Sequence, residues 1–171
     1  MHVTPSPALL TVMGVSGSGK TTVGVALARR LRVPFADADD FHPPRNVAKM
    51  AAGTPLEDAD RLPWLHTVGA WMAAHAEGGG VISCSALKRS YRDVLRVAAP
   101  TQFFVYLAGS PEVVAGRVQG RPGHFMPAGL VDSQFATLEP LGPDENGVAL
   151  DLDRSVDELV EDYLAATAVE A

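Results

Sequence analysis

Residues Gly14 to Thr21 read G-V-S-G-S-G-K-T and fit the pattern G-x-x-x-x-G-K-[ST] in full. The residue types state their chemistry. Gly14, Gly17 and Gly19 allow turns that a side chain would block. Backbone N–H groups in such a loop point inward and cradle phosphate oxygens. A helix starting at its end presents a partly positive N-terminus to the same anion. Lys20 can reach the outer phosphates, and the Thr21 hydroxyl can ligate Mg²⁺. The loop therefore assigns Gly14, Ser16, Gly17, Ser18, Gly19, Lys20, Thr21 and Thr22 to nucleotide phosphate binding.

A second group follows. Asp37 and Asp39 fall where a strand should end, and alternation sends them in similar directions. Phosphoryl transfer needs one carboxylate near Mg²⁺ and another near the acceptor hydroxyl. His42 comes next, then Lys49 and Arg61, each able to bind an anionic group; Arg61 is flanked by Asp58 and Asp60, which offer a local ion pair instead. Ser83 to Lys88 reads S-C-S-A-L-K, and Lys88 would face the same crevice. Cys84 reads as a small buried residue rather than a nucleophile. Arg117, Arg121 and His124 belong to a Gly-, Pro- and Arg-rich stretch around residues 120–129. Arginines on such a closing lid neutralise charge on a transferring phosphoryl group and exclude water.

The elements that must position these residues alternate. Apolar runs at Leu9–Met13, Val33–Ala36, Val81–Ser85, Phe103–Leu107 and Val148–Leu152 read as five strands. Helical spacing covers Thr21–Arg32, Asn46–Ala52, a segment opening at Pro63 with Leu65, Val68 and Met72 on one face, Arg89–Ala98, Pro111–Gln119, Leu130–Leu138 and Val156–Ala166. Strand–helix alternation predicts an α/β domain with a mainly parallel sheet and a ligand beyond the strands' carboxyl ends. Residues 1–8 read as a flexible leader and 9–171 as a single domain.

The 171 residues suffice for one such domain without disulfides, and the single cysteine suits a reducing cytoplasm. No secretory signal or bilayer-length apolar run is visible. A net charge of −6 argues against nucleic acid as a partner. The chain has only three lysines, Lys20, Lys49 and Lys88, and all three fall in segments expected to face the site.

Beyond the loop, the sequence resembles the gluconokinase family. The shared elements are D-A-D-D-F-H-P (Asp37–Pro43), R-N-V-A-K-M (Arg45–Met50), G-T-P-L-E-D-A-D-R-L-P-W-L (Gly53–Leu65), S-C-S-A-L-K-R-S-Y-R-D (Ser83–Asp93), F-V-Y-L (Phe104–Leu107), G-H-F-M (Gly123–Met126), S-Q-F-A-T-L-E (Ser133–Glu139) and V-A-L-D-L-D. They run in order over nearly the whole chain. The resemblance implies ATP-dependent phosphorylation of D-gluconate at its 6-hydroxyl. It implies a three-layer fold with a five-stranded parallel sheet and a mobile lid, like nucleoside monophosphate kinases and shikimate kinase, often as a cytoplasmic homodimer. Lys20 and Thr21 would handle phosphates and Mg²⁺, with Asp37 on the metal side. Asp39 would be the acceptor-side carboxylate, Lys20, Asp39 and Arg121 would be catalytic, and Arg117 and Arg121 would be lid arginines. His42, Lys49, Arg61, Lys88 and His124 would hold gluconate.

Two other readings stay open at this point. One is a kinase for another small hydroxy acid, such as shikimate, or for a nucleoside monophosphate. The other is a non-catalytic nucleotide-binding module. Guanine-reading switches carry N-K-x-D, and no Asn-Lys dipeptide occurs here. Asp144–Gly147 fits D-x-x-G but reads as a turn before the fifth strand.

Overall fold

A strand of uninterrupted apolar and hydroxyl residues is suited to burial on both faces, at the centre of a sheet. Leu9–Met13 (β1) is buried at every position. In the computed structural model, which describes residues 8–119 and 128–168, β1 pairs in parallel with Gly80–Ser83 (β3) and with Phe103–Ala108 (β4). Phe35–Asp37 (β2) and Gly147–Asp151 (β5) complete a five-stranded parallel sheet of order β2-β3-β1-β4-β5.

Alternation along β1 divides the core into two layers. Leu10 and Val12 pack with Val23 and Leu27 of α1 (Lys20–Leu31) and with Leu159 of α7 (Val156–Thr167). Leu9 and Met13 face the other way, toward Leu65, Val68 and Met72 of α3 (Asp58–Ala74) and Leu95 of α4 (Arg89–Ala98). The remaining helices are α2 (Pro44–Ala51), α5 (Pro111–Gln119) and α6 (Ala128–Thr137). This is the three-layer α/β arrangement expected.

The register places the site. Val12 stands opposite Ser83, and Ser83 opposite Asp37. The carboxyl ends of β1, β2 and β3 therefore reach one rim. β1 also divides β2 and β3 from β4 and β5, so the loop after it lies at the sheet's switch point, where such folds bind ligands.

Most boundaries shift by one or two residues from the sequence reading, and three of the shifts have a clear local cause. α1 stops with Arg32 in the left-handed region (φ 57°), and Val33 N–H donates to Ala28 O at 3.0 Å. Val33 thus serves the helix end, and β2 begins only at Phe35. α2 starts at Pro44, two residues before Asn46, with proline in the first turn where no N–H is needed. α3 starts at Asp58 rather than Pro63. The Asp60 carboxylate accepts Glu57 N–H at 2.9 Å and so serves the helix's first turn, while Pro63 lies inside the helix at the cost of one backbone hydrogen bond. Arg121, His124, most of the 120–129 segment expected to form a lid, and residues 1–7 of the expected leader lie outside the described residues.

Candidate active site

The loop joining β1 to α1 bends at Gly17 (φ 85°) and Gly19 (φ 92°), backbone states that side-chain-bearing residues rarely adopt. α1 then opens at Lys20, which turns its N-terminus toward the loop's concave side. Lys20 Nζ donates to Val15 O at 3.0 Å, across the loop. Burial lowers the lysine's pKa, and the negative groups around it, Asp39 first, oppose that fall.

Thr21 Oγ1 donates to Asp37 Oδ2 at 3.2 Å. The other Asp37 oxygen accepts Asp39 N–H at 2.9 Å. The strand ends at Asp37, and Asp39 sits in a 3₁₀ turn over Ala38–Phe41. The two carboxylates are therefore brought together by a side-chain-capped turn, not by strand alternation as expected. Asp39 remains open to solvent, yet the surrounding walls strip enough water to raise its pKa. Asp37 adds like-charge repulsion, and Lys20 and His42 oppose the rise.

The Thr21 hydroxyl and Asp37 carboxylate are hard oxygen donors in contact with each other. Mg²⁺ takes such a set, with one or two carboxylates and the rest of its shell from phosphate and water. These residues fit the metal; among the described residues no group of three or more His, Cys, Asp or Glu side chains forms a protein cage instead.

A cleft of about 920 Å³ runs along the rim, and Lys20, Thr21, Asp37, Asp39, His42 and Arg61 all line it. His42 stacks on Trp64 with ring centroids 4.3 Å apart, and Trp64 Nε1 donates to Ala38 O at 2.7 Å. Asn46 is fully buried. Its Nδ2 donates to Asp60 O at 2.9 Å and lies 3.2 Å from His42 Nδ1. The bond to Asp60 O assigns the amide's orientation, so His42 Nδ1 accepts and Nε2 carries the ring proton. Burial lowers the His42 pKa, with Asp39 opposing; the ring is held neutral, as a donor.

Arg61 Nη1 donates to Leu56 O at 2.9 Å and to Tyr91 Oη at 3.3 Å, and Tyr91 Oη donates to Asp58 at 2.6 Å. Of its flanking carboxylates, Asp58 is 3.9 Å away, while Asp60 is taken by other cations.

Two expected substrate residues fall outside the set lining the cleft. Lys49 Nζ lies 2.8 Å from Asp60 Oδ2, with Arg45 3.1 Å from the other oxygen. The bonds from Lys49, Glu57 N–H and Arg45 hold Asp60 at about 2. Lys88 Nζ lies 3.4 Å from Asp58 and 5.5 Å from the centre of the Tyr91 ring, at the cleft's margin. Each lysine has found a carboxylate from another segment, so Lys20 is the one lysine that lines the cleft. Arg117 is held by a bond to Arg154 O at 3.3 Å. Its guanidinium stands 3.7 Å from where a Cβ would project at Gly19, against the loop but not in the cleft lining.

Sequence reasoning gave no role to Trp64, Tyr91 or Gln134, all of which line the cleft. The first two are neutral rings whose role appears only once α3 and α4 pack. Gln134 was visible only inside the S-Q-F-A-T-L-E element. Cys84 also lines the cleft, but burial pushes its thiol up to about 12, so it stays protonated.

With its one thiol inert, what the cleft offers is a grip on phosphate beside a carboxylate facing open space. Fold and site together define a phosphate-loop kinase acting on small molecules. The shikimate kinase family matches residues 16–137. A gluconokinase of Gluconobacter oxydans (strain 621H) is 47% identical over 160 residues, covering 92% of this chain and 90% of that protein. The crystal structure of a gluconokinase from Sinorhizobium meliloti 1021 superposes with TM-score 0.86 at 48% identity, over 93% of this chain and 90% of that one. An unliganded sugar kinase from Janibacter sp. HTCC2649 gives TM-score 0.85 at 50% identity, over 94% of both chains. The chain belongs to the gluconokinase family.

Proposed function

We propose that the protein transfers the terminal phosphoryl group of ATP to the 6-hydroxyl of D-gluconate, giving 6-phospho-D-gluconate and ADP. The observation that carries this reading is the convergence of Lys20, the Thr21–Asp37 contact and Asp39 on one cleft. The gluconokinase relatives support the choice of acceptor.

Gly14, Ser16 and Ser18 N–H are taken by Ser85 O, Gln134 Oε1 and Val15 O, so the other loop amides, the α1 N-terminus and Lys20 hold the phosphates. Thr21 and Asp37 would hold Mg²⁺, which supplies charge neutralisation on the phosphates when bound. Asp39 orients the acceptor hydroxyl. As the oxygen–phosphorus bond forms and the bond to the ADP oxygen breaks, Asp39 takes the hydroxyl proton, late in a largely dissociative transfer. His42 Nε2–H and Arg61 grip gluconate's hydroxyls and carboxylate, with Lys88 at the margin. Lys49 acts through Asp60, positioning α2 against α3. Arg117, Arg121 and His124 close over the reactants with the 120–129 lid. A cytoplasmic homodimer completes the proposal; light scattering on the purified protein reads the assembly state.

Most of the acceleration comes from positioning and electrostatics. The test is to incubate purified protein with Mg·ATP and single acceptors: gluconate, shikimate and nucleoside monophosphates. The reading expects a 6-phosphorylated product from gluconate. Preferred turnover of another acceptor would refute the assignment.

A further inference from the structure

One contact in the cleft joins the phosphate loop to a residue outside its motif. Ser16 N–H donates to Gln134 Oε1 at 2.9 Å, bridging 118 positions of sequence between the loop and α6. A backbone N–H can only donate, so this bond assigns the amide: the oxygen faces Ser16, and the NH₂ group is turned elsewhere. No described residue accepts a hydrogen bond from that NH₂. Gln134 lines the cleft together with Ser133 and Thr137 of the same helix. The neighbouring loop carbonyl, Val15 O, is the one that binds Lys20 Nζ at 3.0 Å. That carbonyl and Ser16 N–H belong to one trans peptide unit and point in opposite directions, so Lys20 and Gln134 clasp the loop from its two sides, and both line the cleft.

We infer that Gln134 is a phosphate-reading residue: its oxygen locks onto Ser16 N–H, and its NH₂ donates to a non-bridging oxygen of the nucleotide's terminal phosphoryl group. A donor aimed before the substrate arrives needs no reorientation during transfer, which gives it leverage on the transition state. Because the amide is neutral, it adds a donor across the loop from Lys20 without changing the charge of the cleft. The same bond ties α6 to the loop, so loop geometry and donor position are set together. The inference rests on the phosphoryl-transfer reading but not on the identity of the acceptor.

Two variants test it. Gln134→Ala removes both the acceptor and the donor. Gln134→Glu keeps an oxygen for Ser16 N–H and removes the NH₂. Calorimetric titration with Mg·ATP and Mg·ADP, without acceptor, reads the terminal phosphate directly. Both variants should lose affinity for ATP by about 10-fold or more, the size of a hydrogen bond to a charged group, with ADP affinity nearly unchanged. With gluconate present, kcat should fall about 10²-fold, as for loss of one aimed donor. A merely structural tie predicts a different pattern: Gln134→Ala weakens ATP and ADP alike, with no selective loss for ATP. That pattern, or unchanged ATP affinity in both variants, would overturn the inference. If Gln134→Ala fails to fold, the ATP-to-ADP affinity ratio of the neutral, similarly sized Gln134→Leu decides. The ratio needs no acceptor, so it stays readable even if gluconate is the wrong substrate.

Discussion

At the scale of single residues, Lys20 and Asp39 carry the sharpest expectations. Lys20→Ala should abolish turnover while circular dichroism and thermal unfolding stay close to wild type. A folded variant with normal turnover would remove the loop lysine from the mechanism. Asp39→Asn keeps the shape and loses the base; kcat should fall about 10²-fold, a general-base magnitude. A change confined to the KM for ATP would place Asp39 on the wrong substrate. The positions of these residues were legible in the sequence because their geometry is local: an octet fixes the loop, and an Asx-type cap at Asp37 fixes Asp39. The ion pairs of Lys49 and Lys88 were not legible, for the opposite reason. Lysine reach is long, and which carboxylate it finds depends on packing between helices. Lys49 meets Asp60 eleven positions away, and Lys88 meets Asp58 thirty positions away. Gln134 gave no charge signal at all, and only the fold puts it against Ser16.

At the scale of elements, the rim is held by a few close packings. Phe35 at the start of β2 lies so near α1 that a Cβ at Gly24 would stand 2.7 Å from its ring. Alanine is a better helix former than glycine by up to about 1 kcal/mol. Overpacking should nevertheless win, and Gly24→Ala should destabilise the protein by about 1–3 kcal/mol in urea unfolding. A stabilised variant would show that Phe35 moves aside freely. Glu139 accepts Arg89 N–H at 2.9 Å, binding the segment just after α6 to the start of α4. Strand and helix existence was legible from periodicity. Boundaries were not, because side-chain caps at Glu57–Asp60 and a left-handed stop at Arg32 decide them.

At the scale of the whole molecule, buried and bridged ion pairs set the acid limit. Asp60 is held at about 2 against an ordinary 3.8 by Lys49, Glu57 N–H and Arg45. For Glu145, burial pushes upward, but bonds from Arg92, Gly142 N–H and Arg96 outweigh it and hold it at about 2 against 4.5. Both pKa values are depressed, so the unfolded chain binds more protons below the ordinary values. The stability they contribute is present above about pH 4.5 and is lost as pH falls toward 2. His42, also depressed, adds an earlier loss as pH falls below its ordinary 6.5. The melting temperature should therefore decline on acidification, most steeply below about pH 4.5, and Asp60→Asn should flatten part of that decline. A rising melting temperature across this window would contradict the ion-pair account. The central claim is that phosphate grip and acceptor base meet in one cleft. Its most direct measurement is phosphorus NMR of purified protein with Mg·ATP and D-gluconate. The account predicts growth of a 6-phosphogluconate signal in step with ADP. Inorganic phosphate alone, or an unchanged spectrum with folded protein, would contradict it.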